Sequence, residues 1–161
     1  MVKYFKNRYI SMKNVLKFIG ALLWQLPQSI IGWGMMLFFV IFGKVRLITK
    51  YKECYIFEAD MMQGAISLGT VIICSSDSAK NVATIQHEIG HMERSLRTSW
   101  LYLFVIGIPS ICWAATYRIL GYKNYYQFYT EADANKLGCV EVVNKNNTYF
   151  YLKRVENLIE I

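Results

Sequence analysis

Histidine is scarce in this chain: two residues in 161, His87 and His91. A site built from three or more histidines is therefore excluded. Proline is equally rare, with Pro27 and Pro109 alone, so no proline-rich linker divides the chain, and its length is that of one domain. Acidic residues are missing before Glu53, although nine of the 18 lysines and arginines lie there. Charge is missing altogether from two stretches, 18–43 and 98–117. Both reach the ~20 residues that an apolar helix needs to cross a bilayer core. Cys54, Cys74, Cys112 and Cys139 show no C-x-x-C spacing, which argues against a thiolate zinc site and for buried thiols in a reducing compartment.

What is present matches those absences. Hydrophobic residues make up 55% of the chain, aromatic residues 16%, and charged residues only 18%. The net charge of +7 comes from bases that bracket the apolar stretches rather than from a basic patch with interleaved aromatics. That pattern argues against a nucleic-acid surface and is better explained by anionic lipid and the positive-inside rule. A cleaved signal peptide fits the first stretch poorly, because it is too long and no small-residue site follows it. The expectation is a membrane protein, with residues 1–17 as a basic amphipathic lead-in at the membrane surface.

Both histidines belong to one pentapeptide, His87-Glu88-Ile89-Gly90-His91. On a helix, residues four apart lie one turn apart on the same face, so the two imidazoles can share a metal ion. Glu88 then stands where a carboxylate takes a proton from metal-bound water. The periodicity predicts a helix over 80–96, because Val82, Ile85, Ile89, Met92 and Leu96 make one apolar stripe. His87 and His91 fall on the opposite side, with Thr84 and Ser95. Upstream, residues 45–58 read as a strand or two. Residues 65–74 read as another strand after a turn at Gln63-Gly64, and Ser75 to Ser78 offer helix N-caps.

A catalytic zinc takes three protein ligands and leaves one position open. With both histidines used, the third is a carboxylate or a cysteine, from Glu131, Asp133, Cys139 and Glu141. Asn124 and Gln127 have the spacing of an N-cap and its partner, and Gly138 that of a stop, predicting a helix over 125–137. On it Glu131 and Asn135 share a face while Asp133 points away. Glu131 is the preferred ligand, and Asn135 the hydrogen-bonding partner that orients a ligating histidine. The tail from Val140 onward suggests only a short strand over 148–152 and a terminal helical turn.

An H-E-x-x-H helix followed by a Glu-x-x-x-Asp helix resembles the gluzincin metallopeptidases, including thermolysin and the membrane-bound CAAX prenyl proteases. The runs around His87–Ser95, Leu101–Ser110 and Phe128–Gly138 also resemble a small group of bacterial membrane proteins that has Asp where this chain has Asn135. The resemblance implies an α+β zincin-like core: a small antiparallel β element, the H-E-x-x-H helix and the glutamate-bearing helix. Two apolar membrane-inserting helical segments complete it. It implies a zinc-dependent, membrane-embedded metallopeptidase acting on a membrane-associated peptide or protein, with no nucleic-acid partner, at a bacterial inner membrane and facing the cytoplasm. The alternative is a catalytically degenerate zincin-like protein serving as an interaction or scaffold component, for which the missing carboxylate at Asn135 is the best support.

One geometric conflict follows. His91 and Glu131 must meet, yet the uncharged stretch 98–117 lies between them. If it spanned, they would stand on opposite sides. The preferred resolution is a re-entrant hairpin turning near Gly107-Ile108-Pro109-Ser110, against one true span with an intramembrane site.

Overall fold

The computed structural model describes residues 12–145 and 149–160; most of the expected amphipathic lead-in lies outside them. The fold is α+β. Two helices open it, α1 (Met12–Trp24) and α2 (Leu26–Phe42), bent by 105° at Gln25. Pro27 sits in the first turn of α2, where a missing N–H costs nothing. Four strands follow: β1 (Val45–Tyr51), β2 (Cys54–Ala59), β3 (Ala65–Leu68) and β4 (Val71–Cys74). Then come α3 (Ser76–Lys80) and α4 (Val82–Thr98). A helical run from Leu103 to Thr116 begins as a π-helical turn and continues as α5 (Ile108–Thr116). The chain ends with α6 (Tyr129–Leu137) and a hairpin of β5 (Val140–Lys145) and β6 (Tyr149–Arg154).

The four-stranded sheet has the order β1-β2-β4-β3. It is mixed, not antiparallel as expected, because β4 lies parallel to β2. Residues 65–74 form two strands rather than one. The turn between them is at Gly69, whose φ of 63° favours glycine, and a Cβ there would lie 2.2 Å from Ser29 Oγ. β4 is buried along its whole length. Val71 and Ile73 face Met36 and Phe39 of α2, while Ile72 and Cys74 face Ile85, Ile89 and Met92 of α4. The sheet is thus held between α2 and α4, with the apolar stripe of α4 inward.

Helix boundaries shift where caps decide them. Ser75 Oγ accepts from Ser78 N–H, and Asn81 Oδ1 accepts from Ala83 N–H, so 80–96 divides at Asn81 and α4 runs on to Thr98. Asn124 caps a short 3₁₀ turn, Tyr125–Gln127, rather than α6 itself. Gly138 has an ordinary φ of −83°, and the left-handed residue after α6 is Cys139, φ 52°. No helix follows β6 among the described residues. Cys54 and Cys74 are buried as expected, and burial pushes the Cys74 thiol up to about 12; Cys112 is exposed and Cys139 half-buried.

No single helix among the described residues is long and apolar enough to cross a membrane, although α1 and α2 pass together as a bent pair. The second apolar stretch turns at Ser99, φ 53°, not at 107–110. Pro109 lies inside a continuous helical run, since the missing N–H is compensated. The carbonyl of Val105, four residues back, accepts the Tyr129 hydroxyl at 2.6 Å.

Candidate metal centre

α4 and α6 cross at glycines. A Cβ on Gly90 would meet the Ala134 carbonyl oxygen at 1.9 Å, and one on Gly138 the Gln86 carbonyl oxygen at 2.1 Å. This close approach brings the histidine face of α4 against the Glu131–Asn135 face of α6. His87, His91 and Glu131 are all buried, and each offers a ligand atom within 4.8 Å of the others. Glu131 Oε2 lies 3.1 Å from His87 Nε2 and 3.6 Å from His91 Nε2. Ligand atoms on a tetrahedral ion at roughly 2.1 Å stand about 3.4 Å apart, between those two distances.

Both ring nitrogens of His87 face acceptors: Nδ1 lies 2.7 Å from Asn135 Oδ1, and Nε2 faces Glu131. A neutral imidazole carries one N–H, so it serves only one of them. The conflict disappears if both nitrogens carry a proton, or if Nδ1–H donates to Asn135 and the Nε2 lone pair binds a cation. Either way positive charge lies between His87 and Glu131. Burial pushes the His87 imidazole down, but Glu131 and Glu88 outweigh it and hold it above its usual range. Burial likewise opposes ionisation of Glu131, yet the two adjacent imidazoles hold its carboxyl well below the carboxylate range. The site favours positive charge between these groups. The buried His-His-Glu set could hold a metal ion.

The second carboxylate oxygen, Oε1, is occupied by hydroxyls that sequence reasoning missed. Ser110 Oγ donates to it at 2.5 Å and Thr130 Oγ1 at 3.0 Å, and Tyr125 lines the cavity beside them. With Oε1 committed, Oε2 is left as the single ligand atom. A serine beside Pro109 in an uncharged stretch was the available signal; Thr130 and Tyr125 carried none.

Asn135 stands against His87, one of the three residues that could hold the ion. His91 Nδ1 is buried with no hydrogen-bond partner among the described residues. Asp133 points away and pairs with Arg94, and Glu141 pairs with Lys153 on the surface. Cys139 is not part of the metal group.

Glu88 does not join the ligand set; it lines a cavity of about 530 Å³ together with His87, His91 and Glu131. Burial pushes its carboxyl up, against the pull of His91 and His87. β3 forms one wall and is the last strand of its sheet, so its outer edge has no strand partner among the described residues. The opposite wall includes Gly107, Ser110, Ile111 and Ala114 from the apolar run. The ligand conflict is resolved by the turn at Ser99 and by the length of that run, 14 residues or about 21 Å against a ~30 Å bilayer core.

No protein-family model, no curated protein and no solved structure matches the chain.

Proposed function

We propose that this protein is a zinc metallopeptidase working at a membrane, on peptide bonds of a membrane-associated peptide or protein. The observation that carries this reading is the convergence of His87, His91 and Glu131 around one point, with Glu88 beside them in an open cavity. Two imidazoles and one carboxylate oxygen are the donor set of a catalytic zinc, which keeps a position for water; a structural zinc takes four protein ligands. When bound, the ion would polarise the scissile carbonyl and acidify water in the cavity.

The chain's own groups supply the rest. Glu88, raised by burial, accepts the proton of the attacking water and delivers it to the leaving amine. Asn135 holds His87 with Nε2 turned inward, and Ser110 and Thr130 hold Glu131. The free edge of β3 offers backbone groups to an extended peptide, which would lie along the cavity as an added strand.

A degenerate, non-catalytic reading has Asn135 in its favour, since an amide polarises His87 less than a carboxylate does. One experiment separates the two. Glu88→Gln should keep about one zinc per chain and lose peptide hydrolysis, while His87→Ala or His91→Ala should lose the metal. Zinc bound by a wild type that cleaves no membrane-peptide library would establish the degenerate reading.

A further inference from the structure

The helical run Leu103–Thr116 buries Ile106 and Trp113 on one side, and its exposed side adjoins the stripe that lines the cavity. Gly107, Ser110, Ile111 and Ala114, spaced i, i+3, i+4 and i+7, line the metal cavity. Beside that stripe Phe104, Ile108, Cys112 and Ala115 lie exposed, continuous with the exposed Ile111 and Ala114. Buried Tyr102, Ile106 and Trp113 and a few polar contacts fix the helix inward. Ser110 bonds Glu131, Trp113 stacks on Phe128 at 4.7 Å and donates to the Tyr125 carbonyl, and Val105 accepts from Tyr129.

The exposed face does not stop at Phe104. Trp24 Nε1 donates to the Leu96 carbonyl at 2.8 Å, a free acceptor at the end of α4. Ser99 Oγ donates to the Trp24 carbonyl at 2.5 Å, and Trp100 Nε1 to that of Leu23. These bonds join α1 to the second apolar stretch. Leu23, Trp24, Trp100, Leu101 and Phe104 on either side of this junction are all exposed, Trp24 and Trp100 each at 56%. Exposed Lys13 and Lys17 lie on α1, and exposed Arg97 and Arg118 flank the second stretch.

We propose that anionic bilayer lipid covers this face, and that acyl-chain contact with Phe104 and Ile108 holds the helix inward, so that Ser110 keeps Glu131 aimed at the metal. Lipid contact thereby sets metal affinity, with Ser110 as the positioning residue. This rests on the reading of His87, His91 and Glu131 as a metal site. Lipid fits better than a second copy of the chain. A two-fold contact through this face would bring its own cations together, whereas anionic headgroups neutralise them. Exposed indoles beside apolar side chains suit the headgroup boundary, and the short helices suit one leaflet.

The test uses the full chain in phosphatidylglycerol nanodiscs, with zinc affinity read by chelator competition. Phe104→Gln with Ile108→Gln should weaken zinc about 10-fold, as should Ser110→Ala, the low end of effects of groups that orient ligands. Combining all three should cost no more than either alone, because both changes break one coupling. Ser110→Thr should restore affinity, and Phe104→Leu with Ile108→Val should keep it. Brominated acyl chains should quench the fluorescence of Trp24 and Trp100.

Wild-type affinity in the glutamine pair, additive losses, or an equal loss in the Leu/Val pair would overturn the proposal. So would unquenched tryptophans in a chain that elutes as a dimer. If tryptophans are quenched but the wild type holds no zinc, the metal reading itself fails. Quenching with equal zinc affinities in every variant refutes only the lipid coupling.

Discussion

Gly90 of α4 and Ala134 of α6 meet so closely that a methyl group on Gly90 would lie 1.9 Å from the Ala134 carbonyl oxygen. The fourth residue of H-E-I-G-H is therefore a packing requirement, since it lets the helix bearing Glu131 reach the histidines. Gly90→Ala should push α6 outward. Overpacking of this kind costs typically 1–3 kcal/mol, and zinc affinity should fall at least 10-fold as Glu131 withdraws. Chelator competition and thermal melts of the same preparation check both, and unchanged zinc affinity would refute the account.

Asn135 and His87 give a gain-of-function test. A carboxylate at 135 would make the hydrogen bond to His87 Nδ1–H charge-assisted and the ligand more basic. Asn135→Asp should raise zinc affinity on the order of 10-fold with little change in fold. A fall in affinity would show that the amide is not the weak point of the site.

The two carboxylates of α6 should separate cleanly. Glu131→Ala should abolish tight zinc binding. Asp133→Ala removes only its pair with Arg94, whose partners are both partly exposed, and should cost roughly 1 kcal/mol or less with zinc retained. Metal titration of the two variants side by side decides this, and equal losses would mean that Asp133 also serves the site.

Acid sensitivity of the sheet should trace in part to Glu58. The Ser76 hydroxyl and the Arg46 guanidinium bond its carboxylate and lower its pKa in the folded state. A carboxylate lowered on folding adds stability above its unfolded value, about 4.5. That stability is lost as pH falls through the lower folded value. Glu58→Gln should therefore flatten the melting temperature between roughly pH 5 and pH 3 relative to wild type. Parallel curves would exclude this contribution.

The parts of the site legible in the sequence are those set by one helix at a time. His87, Glu88 and His91 follow from a 3.6-residue period, as do Glu131 and Asn135 on one face with Asp133 on the other. The apolar stripe that seats α4 was legible for the same reason. Gln28 was less so. In a charge-free stretch it carries no local signal of a partner, yet its amide donates to Ser95 and to the Ser99 carbonyl, fastening α2 to the corner after α4.

By itself, then, the sequence determined the local chemistry: which side chains can act together on a face, and where charge is absent. Tertiary structure alone decided that β4 inserts parallel beside β2, because pairing across a sheet depends on burial on both faces rather than on any local period. It also decided that Ser110, 21 residues before Glu131, comes to hold that carboxylate. No spacing rule connects residues on different helices. Their meeting depends on the turn at Ser99 and on two glycines that let α4 and α6 close together.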